Sequence, residues 1–361
     1  MNIAFVAEMY HHNPNAGIAV WTKRLSDYCN EKGFQSRIYS YTNGFSSNIP
    51  NFIKLVPNVR ELLVYPYLGM KNLSQIESGH DLIHYASPLT AAWHKGEIPC
   101  VMTTHYIISR QSYLLGKYLP KKYKLFFNPL SYNSIKFIEK QGFQRASIIT
   151  ACRQSLKDYL IEHMQIPEER IEIIKYGIDN TKFKPGTPGQ KKENIALFVG
   201  RGSLPKGFDT FIEAAKMIKG KAVAVATQVP KDILRIADKL KNVEIKSGLS
   251  EQELIETYQS ATVFVMPSLS EGAPLTTLEA MASGLPVVCT TEGGGDYIED
   301  GYSGFIFDFK NAEQLSEKVN YLFDHPDKAT EFGKRNRQKV DTEFTLKTVA
   351  DKFVEIYKKL V

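Results

Sequence analysis

The chain is poor in cysteine. Four occur among 361 residues, Cys29, Cys100, Cys152 and Cys289, each standing alone. With no C-x-x-C pair and no Cys/His cluster, neither a disulfide framework nor a zinc site is suggested. Isolated thiols fit a reducing cytoplasm. No D-x-D occurs, so the acidic pair that would hold a divalent ion on a diphosphate is missing. No run of 18 apolar residues is present, so no transmembrane helix is expected. The opening stretch, MNIAFVAEMYHHN, has no basic segment ahead of its apolar residues. It reads as a first buried strand, not as a signal peptide. A strong charge imbalance is absent too. The net charge of +6 is far below that of a dedicated nucleic-acid binder, and compatible with an acidic ligand or an anionic membrane surface. No short-period repeat is visible.

What is present is the composition of a globular protein, 43% hydrophobic and 23% charged, in a chain long enough for two domains. Residues 2–8 form a predicted strand, 16–33 a helix closing on Gly33, and 35–41 a second strand. Further strands are predicted at 81–86, 99–105 and 146–151, with helical stretches between. This alternation predicts a parallel sheet with helices on both faces. The Tyr-, Phe- and Lys-rich region 112–145 interrupts it. FKPGTPGQKKEN (183–194) has the composition of a linker. Beyond it the alternation restarts, with strands at 195–200, 222–227, 243–248, 262–267, 286–290 and 303–309. Helices are predicted at 209–220, 231–240, 251–261 and 275–284, and an amphipathic helix at 345–360. The expected fold class is α/β: two Rossmann-like halves, 1–185 and 186–344, and a final helix over 345–361. A ligand is expected between the halves, at the carboxyl ends of the strands.

The strand-to-helix turns should therefore carry the chemistry. In LSEGAPLTTLEAMASGLPVV (269–288), Pro274 suits a first helical position, and the amides of Leu275, Thr276 and Thr277 would leave a helix N-terminus open to an anion. Gly272 lets a ligand approach the backbone, and Ala273 completes the turn. Glu271 and Glu279 cannot favour the anion itself, so sugar or ribose hydroxyls are their natural partners. A capping acid and a solvated helix glutamate are the alternative. GRGSLPKGFD (200–209) brings Arg201 and Lys206 into a glycine-rich turn, where two cations and a helix N-terminus can balance a diphosphate. A solvated glycine loop is the alternative there. Gly17 opens the first helix of the first half, either as an approach point for a phosphate or as a plain turn glycine. His105 ends a strand, placed for polar contact with a reacting sugar or simply packed. His84 is a weaker candidate of the same kind.

Together these motifs resemble the GT-B retaining glycosyltransferases of family four. The resemblance spans nearly the whole chain. It is strongest in FVGRGSLPKGFDTFIEA, SLSEGAPLTTLEAMASGLPVV and GGGDYIEDGYSGFIF, and the E-x7-E spacing followed by A-M-A-x-G-x-P-V is its most specific part. It implies that Glu271 contacts the donor sugar, Glu279 the ribose, Arg201 and Lys206 the diphosphate, Gly17 the donor from the first domain, and His105 the donor sugar. It also implies that the C-terminal helix crosses back to the first domain. Base contacts are expected near Ser247–Leu249. Three departures stand out. Gly272-Ala273-Pro274 replaces the frequent G-F-G, Asn15-Ala16-Gly17 a glycine pair, and Asp296 a glutamate.

The implied reaction moves a sugar from a nucleotide-diphosphate sugar, UDP favoured and GDP next, to a hydroxyl of a glycan, glycolipid or lipid-linked acceptor, with retention. No metal and no other cofactor is expected. The rivals are a GT-B epimerase or phosphorylase-like enzyme, and an inactive nucleotide-sugar binding module. Segment 113–140, with Lys121, Lys122 and Lys124 among Tyr118, Tyr123, Phe126 and Phe127, is expected to touch an anionic membrane peripherally. Core aromatics with solvated lysines are the alternative. No nucleic-acid partner is expected, and the location expected is the cytoplasm, at the inner face of the cell membrane.

Overall fold

The computed structural model describes residues 1–7, 17–40, 60–118, 129–187 and 193–361. They form two compact units. One comprises Met1–Tyr176 with Val349–Val361, the other Gly177–Thr348.

The first unit is built on strands β1 (Asn2–Ala7), β2 (Gln35–Ser40), β3 (Leu82–Tyr85), β4 (Cys100–Thr104), β5 (Ile148–Ala151) and β6 (Ile171–Ile173). Its helices are α1 (Gly17–Glu31), α2 (Arg60–Glu77), α3 (Pro88–Ala91), α4 (Ile108–Tyr118), α5 (Pro129–Arg145) and α6 (Gln154–Met164). The strands lie in the order β2-β1-β3-β4-β5-β6, every pairing parallel. Both faces are covered, so β1 is buried from Ile3 to Ala7 and reads as a continuous apolar run, without alternation. The interrupted region 112–145 is accounted for in part by α4 and α5. Lys121, Lys122, Lys124, Tyr123, Phe126 and Phe127 lie outside the described residues. Tyr113, Tyr118 and Phe137 are exposed.

The C-terminal helix, Leu346–Leu360, joins this unit from Val349 onward. It buries Val349, Ala350, Phe353, Val354, Ile356 and Tyr357, one stripe at helical spacing. Phe353 and Tyr357 pack on Phe5 and His84, and the Tyr28 hydroxyl donates to Asp351 at 2.6 Å.

The second unit has strands β7 (Ile195–Arg201), β8 (Lys221–Thr227), β9 (Val243–Lys246), β10 (Val263–Met266), β11 (Val287–Cys289) and β12 (Gly304–Ile306). Its helices are α7 (Phe208–Ala215), α8 (Lys231–Ala237), α9 (Glu251–Ser260), α10 (Leu275–Ala282), α11 (Ala312–Asp324) and α12 (Pro326–Glu343). The order β12-β11-β10-β7-β8-β9 is again wholly parallel. From β7 the chain winds outward through β8 and β9, then returns to lay β10 on the other side. The order reverses between β7 and β10, and in open parallel sheets ligands bind at the carboxyl ends of the strands at such a reversal. Beneath it, Phe198, Phe208 and Phe211 fill the core.

The division of the chain differs from the sequence expectation. Residues 177–185, assigned to the first half, pack with the second unit. Phe183 is buried edge-on against Tyr258, and Arg337 donates to the carbonyls of Asn180, Phe183 and Ala282 at 3.1, 2.9 and 2.8 Å. The start of the proposed linker is thus anchored, while 188–192 lie outside the described residues.

Candidate active site

The turns after β7 and β10 meet at the reversal of the second sheet. After Arg201 the chain makes one short 3₁₀ turn, Leu204–Lys206, and ends it on Gly207 in the left-handed region, φ 65°. A Cβ there would lie 1.8 Å from the Pro267 carbonyl oxygen, so only glycine fits. The Leu269 amide donates to the Pro205 carbonyl at 2.8 Å and ties the two turns together. The result is an ion pair. Lys206 Nζ lies 2.5 Å from Glu271 Oε1, with the carboxylate side chain 8% exposed and the lysine 21%. Ser268 Oγ donates to the same Glu271 oxygen at 2.7 Å. A carboxylate this buried costs several kcal/mol in desolvation unless a cation and hydrogen bonds hold it, and here both do. Arg201, at the end of β7, is exposed, and no described residue pairs with its guanidinium.

The turn is braced from below. Thr290 Oγ1 donates to the Ser268 carbonyl at 2.5 Å and accepts from the Gly293 amide at 2.9 Å. Thr277 Oγ1 donates to the Gly293 carbonyl at 2.9 Å. Gly293 sits so close to β10 that a Cβ would meet the Met266 carbonyl oxygen at 2.1 Å.

Pro274 occupies the N-cap of α10, one position before the first helical residue where it was expected, and gives the helix no side-chain cap. Its carbonyl accepts from the Thr277 amide at 3.0 Å. Thr277 therefore leaves the set of open amides, because a tight first turn closes on the proline carbonyl. Leu275 and Thr276 remain at an uncapped helix end, where the dipole favours an anion. Gly272 and Ala273 are partly exposed in the turn. Further along α10, Glu279 accepts from the buried Tyr258 hydroxyl at 2.9 Å through Oε2.

In the first unit, Gly17 is the exposed first residue of α1, and the turn before it, 8–16, lies outside the described residues. His105 follows β4 directly and is buried. Burial pushes its pKa down to about 3, so the imidazole is neutral and cannot serve as a cation. Its Nδ1 has no hydrogen-bond partner among the described residues. The ring stands edge-on to Tyr176, centroids 5.5 Å apart, and Tyr176 stacks flat on Trp21 at 4.7 Å.

His84 is not part of such a site. Its Nδ1 meets the Tyr357 hydroxyl and its Nε2 lies 2.7 Å from Thr103 Oγ1. Phe353 covers its face, and burial lowers its pKa to about 3. It is a satisfied core residue.

The structure thus joins Lys206 with Glu271 directly, sets Arg201 on the same turn as Lys206, and places Glu279 on the helix whose open end follows Glu271. Sequence reasoning missed Ser268 and Tyr258. Ser268 stands three residues before Glu271 and was open to suspicion. Tyr258 belongs to no motif.

Residues 16–182 match the family described as Glycosyltransferase Family 4, and residues 179–339 match Glycosyl transferases group 1. An alpha-maltose-1-phosphate synthase of Mycolicibacterium smegmatis is 26% identical over 260 residues, 63% of this chain and 67% of that protein. A diacetylbacillosaminyl-diphospho-undecaprenol N-acetylgalactosaminyltransferase of Campylobacter jejuni is 26% identical over 243 residues, covering 63% of this chain and 64% of the relative. Sucrose-phosphate synthase of Thermosynechococcus elongatus superposes with a TM-score of 0.81 at 19% identity, over 100% of this chain and 99% of that one. Anabaena HepE, solved in complex with UDP-glucose, superposes with a TM-score of 0.73 at 16% identity over 100% of both chains. These superpositions show the fold, GT-B. No helix among the described residues is long and apolar enough to cross a membrane.

Proposed function

The chain belongs to the group 1 glycosyl transferases of family 4, and we propose that it moves a sugar from a nucleotide-diphosphate donor, UDP-linked before GDP-linked, to a hydroxyl of a glycan or lipid-linked acceptor. Configuration at the anomeric carbon is retained, and no metal ion takes part.

The observation that carries this reading is the Lys206–Glu271 pair at the sheet reversal, next to the uncapped start of α10. A part-buried ammonium beside an open helix end suits a diphosphate, and a carboxylate beside them suits a sugar hydroxyl. In the proposed complex the diphosphate draws Lys206 to itself together with Arg201 and the Leu275 and Thr276 amides. Glu271 then accepts from the donor sugar, and Glu279 from the ribose. Neutral His105 is the proposed hydrogen-bonding partner of the sugar in the first unit. The anomeric C–O bond to phosphate breaks, the acceptor oxygen bonds to that carbon from the same face, and the acceptor proton passes to the departing phosphate oxygen. The protein's part is chiefly to stabilise leaving-group charge. The UDP-glucose in the HepE structure and the undecaprenol-linked substrate in the Campylobacter relative's name support the donor and acceptor classes. A peripheral membrane contact through segment 113–140, near a lipid-linked acceptor, is part of the same proposal.

The test is to incubate the protein with a panel of UDP- and GDP-sugars and a lipid and glycan extract in EDTA, then assign the product anomer by NMR. A product with the donor's anomeric configuration is expected. An inverted product, a strict metal requirement, or conversion of the donor with no acceptor present would contradict the proposal, the last pointing to an epimerase.

A further inference from the structure

Tyr258, near the end of α9, is completely buried. Its ring is fixed edge-on by Phe183 and tilted against Phe264, each at 5.9 Å. Its hydroxyl hydrogen has two acceptors in reach, Glu279 Oε2 at 2.9 Å and the Thr276 carbonyl at 3.3 Å. The carboxylate is nearer and charged, so it accepts the hydrogen bond. Burial and the adjacent Glu279 raise the Tyr258 pKa well above 10, which keeps the phenol a donor at any working pH. A glutamate on a partly exposed helix face otherwise samples several rotamers. Here one carboxylate oxygen is tied to a rigid ring, which limits the rotamers the side chain can adopt.

We propose that Tyr258 is a positioning residue that sets ribose selectivity in the nucleotide site by holding the Glu279 carboxylate in the orientation that meets the two ribose hydroxyls. This rests on the reading that Glu279 takes the ribose. A merely structural hydrogen bond, in which Glu279 serves to satisfy a buried phenol, makes a different prediction. Removing it would alter stability but would weaken nucleotides with and without ribose hydroxyls alike.

The experiment is calorimetric titration of the full chain with UDP and GDP, each beside its 2′,3′-dideoxy analogue, on wild type, Tyr258→Phe and Glu279→Ala. Wild type is expected to prefer its ribonucleotide by about 10–100-fold, the range for a hydrogen bond to a charged group. Tyr258→Phe keeps the ring and its packing. It should lose most of that preference by weakening the ribonucleotide alone, with the dideoxy analogue bound as before. A wild-type ratio in Tyr258→Phe, with the ratio lost in Glu279→Ala, would overturn the proposal. So would equal weakening of both ligands. A wild-type ratio in Glu279→Ala would instead remove the ribose assignment, and failure of folded wild type to bind either nucleotide would remove the proposed function; the inference falls with each.

Discussion

Gly207 is the residue at which one methyl group would matter most. It lies at φ 65° with the Pro267 carbonyl oxygen 1.8 Å from any Cβ. Gly207→Ala must push the β7 turn away from the β10 turn and separate Lys206 from Glu271. A loss of about 1–3 kcal/mol in stability is expected from the strained backbone, with transfer falling as far as in Lys206→Ala. Chemical denaturation and initial rates measured together check this, and near-normal rates would show that the apposition is not needed. Lys206→Ala itself is expected to lower kcat by about 10²–10³, by analogy with loss of an oxyanion donor, with the fold intact by circular dichroism. The charged and glycine positions of these turns were legible in the sequence because their chemistry is unusual for a turn. Thr290 and Tyr258 were not, since a lone hydroxyl that braces a turn or holds a helix carboxylate leaves no motif. The Thr277 amide was misread because nothing in the sequence tells which way the Pro274 carbonyl points.

Among the elements, the C-terminal helix shows how a candidate site residue becomes a core one. His84 looked like a polar group at a strand, and only the return of Phe353 and Tyr357 from the chain's far end encloses it. The helix was legible from its amphipathic spacing, but its partner on β3 was not, because sequence separation hides the contact. His84 and His105 both have folded pKa values near 3, against an ordinary value of 6.5. The unfolded chain then binds more protons between those limits. Stability therefore rises with pH across that window and is lost as pH falls from about 6.5 toward 3, by at most about 1.4 kcal/mol per pH unit for each histidine. His84→Asn removes one such group, so its urea midpoint should fall less steeply than wild type between about pH 6.5 and 4.5. Parallel slopes would show that His84 charges as easily folded as unfolded. Phe353→Ala should cost about 3–5 kcal/mol through loss of a buried ring, visible in the same titration.

At the scale of the molecule, the alternation of strands and helices made two parallel sheets legible, and the reversal between β7 and β10 falls where the most specific motifs lie. The partition of the chain was less legible. A proline- and glycine-rich stretch signals a break, yet residues 177–185 are held by Phe183 and Arg337 before it. Buried contacts, not composition, decide to which unit a segment belongs. The central claim, that the second unit binds a nucleotide diphosphate through Lys206 without a metal, is tested most directly by titrating UDP, GDP and ADP into wild type and Lys206→Ala in EDTA. The proposal predicts selective binding of one nucleotide, UDP first, weakened at least about tenfold in the variant, as expected for a lost charge-assisted contact. Equal binding to both proteins, or binding only after a divalent ion is restored, would contradict it.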